Sequence, residues 1–384
     1  MSDLPAPALG YGDPAGAWPL RAAVANWLAR TRGIQVPPAA VLVVAGVAQA
    51  LSLLAQVLVQ DGIDAVAFLD PGSLGARQQL QNWQLGTVPV AVDASGLRVD
   101  ELRATGAAVV VLTPAHQFPM GVVLEGERRR QLLAWATEGG LVVEDDYDAE
   151  HRYDRPPLPA LRANGGDRVI YMGSVSKLLA PALRIGWVIA PARYHDAFVA
   201  AKRNADLGNA VLSQLVLAEL VQSGRLERHL RLVRARHRQR RDAMLQALAA
   251  HLPTATVHGR AAGLHLTVTF EGRVFRPRTG GTGHMPGHKS AASLLAPSAP
   301  RASRARPRLR HQHARPNCRR YCGIGPDRTA SLGPLATAGA LPPQRQARTF
   351  MVLIWPLGRS SGRGSDPSGR FGSVMALSID PFQS

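Results

Sequence analysis

A chain of 384 residues, 46% hydrophobic and 19% charged, holds enough apolar side chains for a large core or two domains. Two cysteines exclude a disulfide framework and make a reducing cytoplasm the default, and no apolar run is long enough to span a membrane. The net charge of +18 invites a nucleic-acid reading, but 18 Lys and Arg against 4 Asp and Glu lie in residues 271–384, so +14 belongs to that tail.

The N-terminus, MSDLPAPALGYGDPAG, lacks the basic-then-apolar layout of a secretory signal. A turn-rich stretch, Tyr11–Gly16, leads into an amphipathic helix over Leu20–Arg32, with Leu20, Val24, Trp27 and Leu28 on one face. After Pro37 and Pro38, Val41–Val44 reads as a short strand, followed by Gly46 and a helix over Val47–Gln60. A glycine at such a strand-to-helix turn lets the backbone N–H groups of Val47 and Ala48 approach an anion. A plain tight turn has the same appearance.

Strands over Ala65–Leu69, Val88–Val92, Ala107–Thr113 and Leu141–Asp145 then alternate with helices over Leu74–Trp83 and Glu125–Glu138. This alternation predicts a mostly parallel sheet covered on both faces, with ligands beyond the carboxyl ends of the strands. The polar motifs lie there. TPAHQFPMG (Thr113–Gly121) follows one strand and EDDY (Glu144–Tyr147) ends another. Three consecutive carboxylates are costly to bury without partners. A carboxylate against a pyridine nitrogen is one use for them, with Tyr147 reaching the ring's phenolic oxygen. A metal site or a solvated acidic turn are the others, and metal lacks a second carboxylate or histidine cluster, so no metal site is expected.

The central stretch is IYMGSVSKLLAPALRIGW, Ile170–Trp187. A buried strand ends at Ser174 and Ser176, next to Lys177, with Arg184 seven residues on. An amine that attacks an aldehyde has to shed its proton, which nearby cationic charge and partial desolvation favour. Hydroxyls and a guanidinium hold a phosphate. Together they point to a Schiff-base lysine carrying pyridoxal 5'-phosphate; an isolated lysine would read as a solvated surface residue. A strand over Ile185–Ala190 and helices from Ala192, from Asn209 to Gln222 and from Arg225 to Ala250 follow. The last is rich in Arg and His and reads as a long solvated helix joining two domains rather than a nucleic-acid face. Gly263–Phe270 alternates as a strand and begins a smaller domain.

LGYGDPAG, VAGVAQAL, TPAHQFPMG, VVEDDYDAEHRYDRPPLPAL, VIYMGSVSKLLAPALRIGW and AGLHL resemble, in this order, the pyridoxal-phosphate domain of the MocR regulators of the GntR superfamily. That domain is similar to class I aminotransferases, and the resemblance covers roughly Leu9 to Phe270. It implies an α/β, fold type I transferase-like architecture, a mostly parallel sheet sandwiched by helices, with an incomplete small C-terminal domain. It implies that Lys177 carries the cofactor, Asp145 pairs with the pyridine nitrogen and Tyr147 contacts the ring oxygen. Ser174, Ser176 and Arg184, with the backbone at Gly46, Val47 and Ala48, surround the phosphate, and His116 and Gln117 lie on the loop lining the ring.

The implied ligand is a small amino acid or amine, sensed or processed by a cytoplasmic homodimer. A stand-alone class I aminotransferase and a non-functional truncated or frameshifted product are the alternatives. The family's winged helix-turn-helix precedes this domain, and the sequence begins almost at it. No sequence-specific DNA binding is therefore expected of this chain, and no membrane partner. Ser73 stands where the family has an aromatic that stacks on the ring, and the small-domain arginine for the substrate carboxylate has no match.

The expected division is an N-terminal arm and helix (1–40), a large cofactor domain (41–222), a linking helix and the start of the small domain (223–270), and a basic tail (271–384). The tail loses periodicity and reads as out-of-frame translation of a GC-rich gene or as a disordered extension. Its GHMPGHKS fails the spacing of a phosphate loop. His311, His313, Cys318 and Cys322 have zinc-ligand chemistry without a predicted fold around them. Phe350–Trp355 is an apolar island there.

Overall fold

The computed structural model describes residues 10–270, 348–353 and 376–379. Helix α1 (Trp18–Arg32) starts with a proline in its first turn and stops at Gly33, whose φ of 72° only glycine adopts easily. Its expected apolar face, Leu20, Val24, Trp27 and Leu28, is buried. Strand β1 (Val41–Val44) and helix α2 (Val47–Gln60) have the ends that the sequence predicts. Then come β2 (Ala65–Asp70), α3 (Leu74–Asn82), β3 (Gly86–Asp93), the two-residue β4 (Gly96–Leu97), α4 (Val99–Thr105) and β5 (Val109–Leu112). They are followed by α5 (Gly126–Thr137), β6 (Leu141–Asp146), α6 (Leu161–Gly165), β7 (Val169–Ser174) and β8 (Gly186–Ile189). Helices α7 (Ala192–Asp206), α8 (Val211–Gln222) and α9 (Arg225–His251) follow.

The strands form one sheet in the order β1-β8-β7-β6-β5-β2-β3-β4. Pairs β3·β2, β2·β5, β5·β6 and β6·β7 are parallel, while β8 runs against both β7 and β1. Near-continuous Val, Ile and Leu in the central strands suit burial on both faces. One face packs on α2, α3 and α7 through Leu51, Leu54, Leu80 and Phe198. The other packs on α1 and α8 through Trp27, Leu28 and Leu217, and on α4 and α5 through Leu102 and Leu132. The rings of Trp27 and Trp187 meet edge-on at 5.7 Å. No described helix is long and apolar enough to cross a membrane.

A second, four-stranded antiparallel sheet has the order β12-β11-β10-β9, from β9 (Ala255–His258), β10 (His265–Phe270), β11 (Arg348–Leu353) and β12 (Ala376–Ile379). This corrects the reading of residues 271–384 as a tail without regular structure at two places, β11 and β12. Strand β10 is internal, paired over Phe270–Thr267 with β9 and over its whole length with β11, which satisfies its backbone groups. The GHMPGHKS segment and the His311, His313, Cys318, Cys322 set lie outside the described residues.

Candidate functional site

Strand β6 ends in Glu144-Asp145-Asp146, and the two-residue period of a strand sends these carboxylates to opposite faces. Glu144 accepts the backbone N–H groups of Leu161 and Arg162 at 2.9 and 3.1 Å. Asp146 pairs with Arg32 Nε at 2.7 Å and accepts the Tyr171 hydroxyl at 2.7 Å, all buried. Asp145 points the other way, into a cleft lined by Phe68, Ser73, Thr113 and Phe118. Its Oδ1 is buried and has no hydrogen-bond partner among the described residues. Burial first, then the charges of Asp146 and Asp148, push its carboxyl up to about 7.

The strand-to-helix turn at Gly46 lies on the same end of the sheet. Val44 pairs with Gly186, and Gly186 pairs with Ser174, so β8 carries the turn to the end of β7. A Cβ on Gly186 would stand 3.1 Å from Gly46 Cα and 3.3 Å from Ser174 Cβ, so this contact needs glycine. Gly46 has φ of 81°, and a Cβ there would meet the Arg184 guanidinium at 3.1–3.2 Å. Arg184 Nη2 donates to the Ala45 carbonyl at 2.6 Å. Val47 and Ala48 open α2, where the first N–H groups have no intrahelical acceptor. Two unspent N–H groups, a guanidinium and Ser174 thus converge at a helix N-terminus, an arrangement that suits a phosphate.

Ser176 and Lys177 sit on the turn that leaves β7, closed by Leu178 and Leu179 N–H groups on the Val175 carbonyl. Ser176 N donates weakly to Ser174 Oγ at 3.4 Å. Lys177 is exposed, so the partial desolvation expected around its amine is not supplied by the described residues.

The Thr113–Gly121 loop differs most from expectation. His116 is buried, with Nδ1 2.9 Å from Asp148 Oδ2 and 3.0 Å from the Tyr147 hydroxyl. Gly121, Gly259 and Gly263 pack around its ring, and a Cβ on Gly263 would fall 1.8 Å from it. Gln117 donates to the Pro71 and Phe118 carbonyls at 2.8 and 2.7 Å and accepts Met120 N–H at 2.9 Å. Gln117 is spent on holding the loop, and His116 is held through Nδ1, while its buried Nε2 has no partner among the described residues. Tyr147 reaches the loop through His116, and burial with the Asp148 charge holds its phenol protonated. Strand β10 closes the loop from below, where His265 Nε2 and Thr267 Oγ1 bond the Pro119 carbonyl at 2.9 and 2.5 Å.

Sequence reasoning missed three supports: Asp148 under His116, Arg32 on Asp146, and the role of Ser73. Ser73 Oγ accepts Ala76 N–H at 3.2 Å and so caps α3. A serine one residue before a helix was the available signal.

The family described as aminotransferase class I and II matches residues 6–271. The rhizopine catabolism regulatory protein MocR of Rhizobium meliloti is 33% identical over 270 residues, covering 68% of this chain and 53% of that protein. The aromatic-amino-acid aminotransferase 1 of Thermococcus litoralis is 33% identical over 259 residues, 65% of this chain and 62% of the relative. Among solved structures, the alpha-aminoadipate aminotransferase LysN of Thermus thermophilus, complexed with N-(5'-phosphopyridoxyl)-L-leucine, superposes with a TM-score of 0.62 at 31% identity, over 68% of each chain. The chain spans about half the length of the curated regulators it matches.

Proposed function

Because the chain belongs to the class I and II aminotransferase family, as an aminotransferase-like domain related to MocR-type regulators, we propose that it binds an amino acid or amine through pyridoxal 5'-phosphate. When bound, that cofactor supplies an aldehyde for amines and a ring that accepts electrons. The residues present fit it. In this reading Lys177 attaches the cofactor, and Asp145 holds a proton on the ring nitrogen. Tyr147, kept in place by His116 and Asp148, offers its hydroxyl to the ring oxygen. Arg184, Ser174, Ser176 and the N–H groups of Val47 and Ala48 hold the phosphate. His116 and Gln117 act through the loop they brace.

One observation carries the reading: Asp145, whose buried Oδ1 has no partner among the described residues, faces a cleft on the strand ends that also bring Gly46, Ser174 and Arg184 together. An acid left without a donor inside a folded chain is unfavourable unless a ligand supplies one.

A homodimer in the cytoplasm goes with this reading. Tyr11, Leu207 and Leu212 are exposed by 91, 53 and 40% along one groove, an apolar surface that a second copy would cover. The test is titration with pyridoxal 5'-phosphate followed by borohydride reduction and peptide mapping. Visible absorption of the bound cofactor should appear, and the label should fall on the peptide containing Lys177. Label on another lysine, or unchanged absorption in Lys177→Ala, overturns the assignment.

A further inference from the structure

The turn at Gly46 is braced from behind by three residues to which the proposed site gives no role. Gln49, in the first turn of α2, accepts the Ala45 N–H on Oε1 at 2.7 Å. Its Nε2 donates to Asp206 Oδ2 at 2.7 Å. The other Asp206 oxygen accepts the Gly208 N–H at 2.9 Å and the Lys202 ammonium. Lys202 is wholly buried, and Asp206 is its ion-pair partner. A buried ammonium is tolerable only when paired, so Lys202 fixes Asp206, and Asp206 fixes the orientation of the Gln49 amide.

The result falls on one residue, through the two peptide units that flank it. Ala45 is held at its N–H by Gln49 and at its carbonyl by Arg184. The next residue is Gly46, whose backbone aims the N–H groups of Val47 and Ala48. Neither Val47 nor Ala48 has a polar side chain to hold an anion, so what the turn itself gives a phosphate, beside Arg184 and the serines that leave β7, depends on backbone direction. A glycine turn is the most mobile place to rely on backbone direction.

We propose that Gln49, anchored through Asp206 to the buried Lys202, is a positioning residue for the cofactor phosphate: it holds the Ala45–Gly46 turn so that two N–H groups and the Arg184 guanidinium face one anion. This rests on the cofactor reading above. The bland alternative is a helix-end network that only stabilises the fold.

Pyridoxal and pyridoxal 5'-phosphate separate the two, because they differ only in the phosphate. Their affinities for the full chain, and its thermal unfolding, are measured for the wild type, Gln49→Leu and Gln49→Glu. Gln49→Leu should bind pyridoxal 5'-phosphate about tenfold more weakly, the effect of one oriented hydrogen bond near a charged group, with pyridoxal unchanged. Gln49→Glu keeps the acceptor for Ala45 but faces Asp206, and should lose affinity for the phosphorylated aldehyde alone. Equal losses for both aldehydes, or no loss, overturn the positioning role. A wild-type chain that binds the two equally well overturns the phosphate assignment itself, and this proposal with it.

Discussion

The two faces of β6 carry the same kind of side chain to opposite ends. On one face, Glu144 and Asp146 are supplied with backbone N–H groups, Arg32 and the Tyr171 hydroxyl. On the other, Asp145 faces a cleft with a buried oxygen that no described residue satisfies. Burial pushes the carboxyls of Glu144 and Asp145 up alike, so the shift does not distinguish them. The inventory of partners does. Glu144 and Asp146 each have protein donors, although Asp146 Oδ1 is itself without one, whereas the cleft-facing Asp145 is the carboxylate of the three that a ligand can reach.

Breaking the satisfied face should have the largest effect. Arg32→Ala leaves Asp146 buried with only a tyrosine hydroxyl, and removes a donor from the Leu158 carbonyl. Stripping one partner from a buried ion pair costs about 3–5 kcal/mol. Denaturant unfolding should show a loss of that size. A loss near that of an exposed ion pair, below about 1 kcal/mol, would mean that solvent reaches Asp146 after all.

The open face predicts the reverse pattern: little stability at stake and much affinity. Asp145→Asn removes a charge-assisted hydrogen bond to the bound ring, worth about 1.5–3 kcal/mol, or roughly ten- to a hundredfold in cofactor affinity. The chain without cofactor should lose nothing, and the pH dependence of stability that this one group contributes should vanish. The Asp145 carboxyl lies at about 7 in the fold and near ~4 when unfolded. Between those values the folded chain retains a proton that the unfolded chain has lost. Stability contributed by this group therefore falls as pH rises from about 4 to 7. His151 and His237, held down to about 4 by burial, and His265, held to about 3, work oppositely and lose stability as pH falls below about 6.5. The difference between the wild-type and Asp145→Asn curves isolates the Asp145 slope. A flat difference would place Asp145 in solvent.

The division along β6 was half legible beforehand. Period-two alternation separates Asp145 from Glu144 and Asp146 without any structure. The partners were not legible, since Arg32 stands 114 residues before Asp146 and His265 lies 146 after Pro119. Strand β1 and helix α2 were legible to the residue, because a Val-Leu-Val-Val run stops at a glycine that no neighbour overrides. Strand β9 was missed, as Ala255–His258 is too short to alternate and exists through its pairing with β10. The resemblance places His116 on the ring-lining loop. Gly259 and Gly263, distant in sequence, close on its ring together with Gly121 and enclose it.

The smallest effect tests where the two faces meet the cofactor reading most delicately. Ser73 lines the cleft beside Asp145 and also caps α3. The resemblance puts a ring-stacking aromatic at this position, so Ser73→Tyr exchanges one role for another. Without cofactor the variant loses the cap, about 1 kcal/mol. With cofactor bound it gains an aromatic contact of about 0.5–1.5 kcal/mol, which offsets that loss. Thermal unfolding should therefore show Ser73→Tyr below the wild type when the cofactor is absent and level with it when the cofactor is saturating. The sign of the change on adding cofactor matters more than its size. Equal destabilisation in both states would mean that residue 73 does not face the ring, and that the cleft beside Asp145 is not where the cofactor lies.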